Sequence, residues 1–349
     1  MFSNSEISEA IKLMAAGKNP CDSALAAIVS SSDYDGELAS CADSVRRKVY
    51  SDEVYLRGLI EISSYCRNNC FYCGLRAGNA KALRYRLSKD EILTACKEGC
   101  ELGFRTFVLQ GGEDPYFSDS FICDVVSSIK RLYPDCAVTL SIGEREYSSY
   151  KALFDAGADR YLLRHETADD AHYRKLHPES MSLQNRKECL FALKDIGYQV
   201  GSGFMVGSPY QTVENIVSDI RFLQELSPDM IGIGPFIPHR NTPFGSFSCG
   251  SADLTIRLIS ILRLLFPYAL IPATTSLATI AEENRKKALI SGANVIMPNI
   301  TPLKVRKKYE IYNRKLSSSL ESAQAVDSIK AMLADIGFRA VSSRGDVKR

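Results

Sequence analysis

The spacing of apolar residues along the chain changes at about residue 50. Before that point apolar side chains recur at helical intervals, as in Ile7, Ile11 and Met14, and a break follows at Gly17 and Pro20. Apolar positions three or four residues apart form one face of an α-helix. From residue 55 onward, short apolar and β-branched runs alternate with longer helical patterns. The first pattern predicts an N-terminal helical cap, and the second predicts βαβ units with a parallel sheet.

Eight of the apolar runs have the length and composition of strands. They cover residues 56–62, 106–110, 137–141, 160–164, 199–205, 230–234, 270–274 and 294–298. Eight strands alternating with helices predict an α/β fold, a complete (βα)8 barrel of the TIM type, whose chemistry lies at the carboxyl ends of the strands. We expect a helical cap over residues 1–50, the barrel over residues 51–302 and a tail over residues 303–349. The tail carries a predicted helix over residues 322–336 and is expected to close the barrel.

The composition excludes several classes of partner. Hydrophobic residues make up 45% and charged residues 24% of the 349-residue chain, which is ordinary for a globular protein with a large core. Lys and Arg number 43 against 41 Asp and Glu, so the bulk charge indicates neither a nucleic acid nor a membrane partner. The N-terminus lacks the pattern of a signal peptide, and no apolar run reaches membrane-spanning length. We therefore expect a cytoplasmic protein, and we expect it to be a monomer.

Three cysteines lie close together directly after the first predicted strand. Cys66, Cys70 and Cys73 form a C-x3-C-x2-C loop. Three thiolates at this spacing can hold three irons of a 4Fe–4S cubane and leave the fourth iron open to the amino and carboxylate groups of S-adenosylmethionine (SAM). The alternative is a zinc site, but tetrahedral zinc needs four ligands and no further Cys or His lies nearby in the sequence. The pattern therefore favours an iron–sulfur cluster.

The remaining cysteines are interpreted as free thiols that do not bind the cluster. The chain has eleven cysteines in total, but a chain of this size does not need disulfides and a cytoplasmic redox potential disfavours them. Cys96 and Cys100 are four residues apart within a helical pattern over residues 89–102. We interpret them as buried helical thiols, because a free cysteine is usually a small core residue.

Glycine and charged residues follow the predicted strands at their carboxyl ends. Gly111 and Gly112 follow the second strand, where glycine lets the backbone approach a ligand closely. In the fourth strand Arg164 and Glu166 share one face, because side chains alternate, and His165 lies on the other. If the first two face the interior, they bind a charged ligand or form a purely structural ion pair. His165 is then expected to be a packing residue.

Two predicted helix starts carry further information. Thr212 follows a turn that contains glycine and proline, and it is a predicted N-cap. Arg186 lies in the first turn of a predicted helix over residues 185–196, where a cation opposes the helix dipole. Arg186 either binds a carboxylate of a ligand or is an ordinary solvated arginine.

Taken in series, these motifs resemble those of a known family. The cysteine spacing, with the aromatic Tyr72 before the last cysteine and a glycine pair after the second strand, resembles the radical SAM enzymes. Longer runs resemble, more specifically, the HydE family of FeFe-hydrogenase maturases. They are YLRGLIEIS, CGLR, LQGGEDPY, AGADRYLLRHETA, MVGSPYQT, DMIGIGPFIPH, IPATT and GANVIMPNITP, and the likeness extends over roughly residues 50–312.

The resemblance implies a radical SAM enzyme with a 4Fe–4S cluster and SAM as cofactors and an external one-electron reductant. A 5'-deoxyadenosyl radical would attack the cysteine sulfur of a small precursor, a cysteine-bound iron carrying CO and cyanide. HydG would make this precursor, and HydF would carry the product during assembly of the H-cluster. The implied SAM-binding residues are Tyr72, Gly111, Gly112, Glu113, Ser141, Glu166 and Arg186. The residues implied to line the substrate cavity are Arg57, Gln110, Arg164, Thr274, Thr275, Tyr309 and Tyr312.

Three alternatives stay open at this point. Two are related radical SAM enzymes, the carbon-skeleton mutase methylornithine synthase and a sulfur-inserting enzyme similar to biotin synthase. The third is a non-catalytic iron–sulfur scaffold, which Gly111, Gly112, Glu166 and Arg186 argue against because a scaffold does not need to bind SAM. Some HydE proteins carry further cysteines near the C-terminus for a second cluster. No cysteine follows Cys249 here, so we expect a single cluster.

Overall fold

The centre of the molecule is a ring of parallel strands. The computed structural model describes residues 3–315 and 322–348. The strands are β1 Glu53–Leu56, β2 Gly58–Ser63, β3 Thr106–Gly111, β4 Ala137–Ser141, β5 Arg160–Leu162, β6 Gln199–Ser202, β7 Met205–Val206, β8 Met230–Ile231, β9 Gly234–Pro235, β10 Val295–Ile296 and β11 Arg339–Val341. The fifth and sixth predicted strands are each interrupted next to a glycine, Gly203 and Gly232, because glycine weakens the interior of a strand.

Hydrogen bonds between neighbouring strands close the ring. Six strands follow one another in the order β2-β3-β4-β5-β6-β8, and all are parallel. The seventh position is filled by a segment that pairs Leu270 with Met230 on one side and Pro272 with Val295 on the other. β10 then pairs in parallel with β1, the first half of the strand that continues as β2. The predicted (βα)8 barrel is therefore confirmed.

Helices surround the ring, and further helices precede the first strand and follow β10. They are α1 Asn4–Ala15, α2 Asp22–Ser30, α3 Asp35–Tyr50, α4 Lys89–Glu101, α5 Asp119–Leu132, α6 Tyr147–Asp155, α7 Asp170–Leu176, α8 Leu183–Ile196, α9 Val213–Leu226, α10 Ala252–Leu265, α11 Thr275–Ile280, α12 Glu283–Ile290, α13 Leu303–Arg306 and α14 Ser322–Asp335. α3 contacts α10 of the barrel, so the N-terminal helices share the core of the barrel. The domain borders at residues 50 and 302 stay predictions. Among the described residues, no helix has both the length and the apolar character needed to cross a membrane.

Local capping signals determine where several helices begin. At α4, Ser88 and Glu91 form a capping box in which each side chain accepts a hydrogen bond from the other residue's backbone N–H. At α9, Thr212 accepts a hydrogen bond from the N–H of Asn215 at 3.3 Å, as the predicted N-cap should. Because each cap fixes the end of the preceding loop, these residues also set the lengths of the loops at the barrel mouth.

Side chains alternate between the ring interior and the surrounding helices. In β2, Ile60 and Ile62 belong to the apolar core under the helices, whereas Glu61 faces inward. The fourth predicted strand is β5, which ends at Leu162, two residues before the predicted end. His165 lies three residues beyond it and is fully buried, with its ring 4.9 Å from the ring of Phe222 in α9. His165 is therefore a packing residue, as predicted.

The last described segment crosses the amino-terminal end of the ring. It includes β11, which pairs with β1 and was not predicted from the sequence. Arg160 of β5 is fully buried and donates to the Arg344 carbonyl oxygen at 2.7 Å and to the Asp346 carboxylate at 2.6 Å. Gln199 of β6 donates to the same carboxylate at 3.0 Å. Asp346 thus compensates a buried charge at the end of the ring opposite the mouth.

Replacing Asp346 by Ala is expected to lower the free energy of unfolding by about 2 kcal/mol, because Arg160 would stay buried without its carboxylate partner. Partial burial opposes ionisation of Asp346, but its hydrogen bond from Arg344 and the charge of Arg160 lower its pKa to about 2. The stabilisation is therefore fully present above the unfolded-state pKa of about 4 and is lost as the pH falls towards 2. Urea unfolding at several pH values measures this difference.

The matched control is Asp327→Ala in α14, whose carboxylate is 78% exposed. It should change the free energy of unfolding by less than about 0.5 kcal/mol. Equal effects of the two substitutions at neutral pH would contradict the role given to Asp346.

Candidate active site

The loop that carries Cys66, Cys70 and Cys73 lies at the barrel mouth, directly after β2. Its backbone N–H groups, and that of the residue after it, donate to carbonyl oxygens of three other segments at 2.8 to 2.9 Å. The pairs are Arg67 with Glu113, Phe71 with Leu176, and Gly74 with Ile311. The loop is therefore held by the segment after β3, by the last residue of α7 and by the segment after α13, and these bonds position its three cysteines.

The three thiols are free, and their environment suits iron binding. Burial, together with the neighbouring Cys66, raises the pKa of Cys73 to about 12, and burial raises the pKa of Cys70 as well. Such thiols become thiolates only with a cationic partner, which iron supplies. No three His, Cys, Asp or Glu side chains of the described residues converge as the ligands of one metal ion would. A cubane does not require this, because each thiolate binds a different iron.

The glycine pair at the end of β3 brings that strand against the cysteine loop. Gly111 is the last residue of β3, and a β-carbon added to Gly112 would lie 2.6 Å from Cβ of Cys66. Only glycine permits this approach. The next residue, Glu113, accepts a hydrogen bond from Arg67 at 3.2 Å, so its carboxylate also lies beside the cysteine loop.

Two ion pairs lie at the mouth near the cysteines. Arg164 contacts Glu166 at 3.0 Å, and Arg186 contacts Glu144 at 2.5 Å. Arg186 also donates to the carbonyl oxygen of Arg164 at 3.4 Å, which joins the two pairs. The charges of Glu166 and Arg186 both act on Cys70. Burial opposes the charge of Arg186, but Glu144 beside it raises its pKa. Arg186 is therefore no ordinary solvated arginine, and Glu144 is a site residue that the sequence analysis missed.

The backbone at Glu166 has an unusual conformation. Its φ is +65°, which is uncommon for a residue other than glycine. The N–H of Glu166 donates to Gly203 at 3.2 Å, and its carbonyl oxygen accepts from the N–H of Met205 at 3.3 Å. Two residues later the N–H of Ala168 donates to the fully buried Asp219 at 2.5 Å. Strained residues held by their surroundings in this way cluster at functional sites.

Tyr72 is fixed by a histidine that the sequence analysis did not single out. Its hydroxyl lies 3.1 Å from Nε2 of His177, and the two rings meet edge to face at 5.4 Å. Burial, and then the charge of Arg186, lower the pKa of His177 to about 3, so the ring is neutral. Nδ1 of His177 faces the carbonyl oxygen of Tyr173 at 3.1 Å and must carry the proton. Nε2 therefore accepts the hydrogen bond from Tyr72.

Two of the predicted cavity residues contact each other in the ring interior. Gln110 donates to the hydroxyl of Tyr309 at 3.2 Å, and Ser141 lies beside Gln110 on the neighbouring strand. Thr274 and Thr275 begin α11 and line a cavity of about 400 Å³. The last member of the predicted set is Tyr312, which is partly buried; burial raises its pKa to about 12. The structure therefore joins Gln110 with Tyr309, whereas Thr274 and Thr275 line a neighbouring cavity that Lys315 also lines.

An interior ion pair was missed by the sequence analysis. Glu61 is fully buried and pairs with Lys315, and Asn299 donates to the same carboxylate at 2.9 Å. Lys315 also donates to the carbonyl oxygen of Tyr309 at 3.1 Å. The alternation of side chains along β2 is a signal that could have identified Glu61 as an inward-facing residue. No local signal identified Lys315, because it lies in a segment without regular structure.

Arg57 faces the interior but lies far from the mouth. It donates to the carbonyl oxygen of Gly345 at 3.2 Å and contacts the sulfur of Met230 at 2.9 Å. It precedes Glu61 by four residues, which is about 13 Å along a strand. The structure therefore does not bring Arg57 together with the other predicted cavity residues near the mouth.

Comparisons with known proteins agree with this geometry. The profile of the Radical SAM superfamily matches residues 60–223. The FeFe hydrogenase maturase subunit HydE of Thermotoga maritima is 43% identical over 316 residues, which cover 90% of each chain. The chain belongs to the HydE family of radical SAM enzymes. As a HydE-family protein it is an enzyme of FeFe-hydrogenase maturation.

Other relatives show how widely the HydE fold is shared. The 3-methylornithine synthase of Methanosarcina acetivorans is 31% identical over 74% of this chain and 73% of that protein. The crystal structure of methylornithine synthase, PylB, matches with a TM-score of 0.83 at 27% identity and covers 96% of this chain and 97% of that one. The maturase HydG matches with a TM-score of 0.82 at 20% identity over 97% and 77% of the chains, which shows a common fold.

Membership of the superfamily establishes the cofactors. Radical SAM enzymes use a 4Fe–4S cluster and SAM, and these are the cofactors of this HydE-family enzyme. The prediction of the family, the enzyme class and the cofactors is therefore confirmed. The assignment of single residues to the cluster, to SAM or to the substrate stays a prediction.

Replacing Gly112 by Ala is expected to displace the cysteine loop, because the new β-carbon would overlap Cys66. Misplacement of about 1 Å near reacting groups can lower activity by about 10²-fold. Iron content after anaerobic reconstitution and the rate of 5'-deoxyadenosine formation measure the effect. The control is Gly36→Ala in α3, where an added β-carbon meets no atom within 4 Å. Full iron content and normal cleavage in the Gly112 variant would contradict this account of the loop.

Proposed function

We propose that this enzyme binds SAM at the barrel mouth and directs the 5'-deoxyadenosyl radical to a small substrate in the ring interior. The substrate that we propose is a cysteine-bound iron carrying CO and cyanide. The observation that best supports the proposal is that Cys70 lies close enough to Glu166 and Arg186 for the charges of both to act on its thiol. When reduced, the bound cluster supplies the electron that cleaves SAM.

The SAM-binding roles follow from the chemistry of each side chain. Arg186 is buried and positioned to bind the carboxylate of SAM, where a planar guanidinium is the preferred partner. The carbonyl groups exposed at Gly111 and Gly112 and the carboxylate of Glu113 would bind its ammonium group. Glu166 would accept hydrogen bonds from the ribose hydroxyls. Ser141 and Tyr72 complete the proposed set, with Tyr72 held by His177.

The proposed substrate suits the interior because its cyanide nitrogen and carboxylate oxygens accept hydrogen bonds. The predicted cavity residues offer donors. Gln110 and Tyr309 are already joined by a hydrogen bond at 3.2 Å, and Thr274 and Thr275 line the neighbouring cavity. Arg164 lies between the interior and the SAM site. The remaining proposed cavity residues are Tyr312 and, nearer the closed end of the ring, Arg57.

The family also suggests partners. We propose that HydG supplies the iron precursor, that HydF receives the product, and that an external reductant provides one electron for each turnover. The family of the Thermotoga relative, a maturase subunit, supports these roles. A cytoplasmic location, a monomeric state and the lack of nucleic-acid and membrane partners belong to the same proposal.

The second candidate is a carbon-skeleton mutase. It is favoured by the match to methylornithine synthase, whose crystal structure covers nearly the whole chain. Identity is nevertheless higher to HydE, at 43% against 31%. Incubation with lysine, the isomer of methylornithine, decides between the two. Formation of methylornithine would favour the mutase and overturn the maturase proposal.

Replacing Cys70 by Ala is expected to abolish SAM cleavage, because it removes one of the three proposed cluster ligands. Reconstituted wild-type protein should bind about four irons for each chain and yield 5'-deoxyadenosine when reduced with SAM. Iron analysis and chromatography of the products measure both. Cys249→Ala, which replaces an exposed thiol, is the control and should behave as the wild type. Cleavage that persists without Cys70, or zinc in place of iron, would refute the proposed cluster site.

Replacing Tyr309 by Phe is expected to leave SAM affinity unchanged and to slow conversion of a synthetic cysteine-bound iron carbonyl cyanide complex by about tenfold. The physical reason is the loss of one hydrogen-bonding hydroxyl in the cavity, worth about 1.4 kcal/mol. SAM binding by equilibrium dialysis and substrate conversion by infrared spectroscopy separate the two effects. The control is Tyr268→Phe, at a tyrosine that is 52% exposed. A loss of SAM affinity in the Tyr309 variant would assign this residue to the SAM site instead.

A further inference from the structure

The segment that carries the cluster cysteines is strongly basic. Between Glu61 and Asp90 it contains no acidic residue and six cations. They are Arg67, Arg76, Lys81, Arg84, Arg86 and Lys89. The chain as a whole is nearly neutral, with 43 Lys and Arg against 41 Asp and Glu. Three of these cations pair with carboxylates from outside the segment, Arg67 with Glu113, Arg86 with Asp114 and Lys89 with Asp124. Lys81 is exposed, and the proposed chemistry inside the barrel does not account for it.

Lys81 and cations from two other segments surround a depression in the surface. The basic depression has a volume of about 260 Å³, and four cations from three separate segments line it. They are Lys81, Arg240, Lys307 and Lys308. Glu310 is the one carboxylate among its described lining residues. Leu83 also lines the depression, and its side chain is 66% exposed, the highest value for a large hydrophobic residue in the described chain.

The basic depression borders the cluster site at Gly74. Gly74 lines the depression and directly follows Cys73 in the chain. Its N–H donates to the carbonyl oxygen of Ile311 at 2.8 Å, and a β-carbon at this position would lie 2.5 Å from the ring of His239. The backbone next to Cys73 is therefore closely packed and forms part of the wall between the thiol and the surface.

We propose that the basic depression is the docking site of an acidic one-electron carrier protein, which reduces the cluster through Cys73. This inference rests on the proposed function, because the enzyme needs a one-electron carrier only if it cleaves SAM reductively. The carrier loses one electron and the bound cluster gains it, and no bond is formed and no proton moves in this step.

The features of the surface suit such a carrier better than other partners. Encounters between redox proteins bury little surface and are steered by complementary charge. Four cations and the single carboxylate of Glu310, which lies 3.8 Å from Arg240, surround one exposed leucine and leave a small site of net positive charge. A nucleic acid would instead require a long basic track, whereas the net charge of this chain is only +2. Charge steering also predicts that the association weakens as salt is added.

The test uses the double variant Lys81→Glu, Lys307→Glu in the reconstituted enzyme, with a plant-type 2Fe–2S ferredoxin as the carrier. The matched control is Lys18→Glu, Lys48→Glu, which changes the net charge equally at exposed lysines of the N-terminal helical region. Affinity for oxidised ferredoxin is measured by calorimetry at low and high salt. SAM cleavage is measured with reduced ferredoxin and, separately, with dithionite, which as a small molecule needs no docking site. Carbodiimide cross-linking identifies the lysines that contact carboxylates of the carrier.

We expect the depression variant to bind ferredoxin about tenfold more weakly and to lose ferredoxin-dependent cleavage in proportion, because like charges would then face each other. With dithionite, the depression variant should cleave SAM as fast as the wild type does. In the wild type, cross-links to the carrier should form at Lys81, Lys307 or Lys308. Equal affinities in the depression variant and the control, or cross-links only elsewhere, would overturn the proposal, even if another protein binds there. Absence of cleavage with dithionite in the wild type would instead refute the proposed function, and binding and cross-linking would still decide the docking site.

Discussion

Closure of the ring is the constraint on which the rest of the structure depends. The first and last strands are joined by backbone hydrogen bonds, from Arg57 to Ile296 at 3.0 Å and from Leu59 to Pro298 at 2.9 Å. Because all the strands run in the same direction, closing the ring brings their carboxyl ends to one mouth. The cysteine loop and the Glu166 turn lie together there although they are far apart in sequence. Closure also buries inward-facing charges, so each needs a partner within the ring.

The fold and much of the site could be predicted because their signals are local. Strands and helices follow from the period of the apolar residues, and the alternation along one strand separates Arg164 and Glu166 from His165. The start of α9 could be predicted from Thr212, because its hydroxyl accepts a hydrogen bond from a backbone N–H in the first turn of the helix. The spacing of the three cysteines depends only on the geometry of one loop. In each case the residues that interact lie within a few positions of one another.

The residues that were missed are partners brought together by closure. Glu144, in the loop before α6, pairs with Arg186 of α8. Lys315 pairs with Glu61, although the two residues are far apart in the sequence. Asp346 and Arg160 are joined in the same way at the other end of the ring. Segments without regular structure, such as those that carry Lys315 and Asp346, have no periodicity from which their position could be predicted. Only the packed structure shows which buried charge each of them compensates.

The segment after α13 shows how closely the interior and the surface are connected. Lys307 and Lys308 line the basic depression on the outside, while the hydroxyl of Tyr309 accepts a hydrogen bond from Gln110 on the inside. Two residues further on, Ile311 holds Gly74 next to the last cysteine of the loop. One short stretch of backbone therefore separates the proposed docking surface from the proposed substrate cavity and supports the cysteine loop between them. A short path for the electron requires close packing between the surface and Cys73, and this segment forms part of that packing through the bond between Ile311 and Gly74.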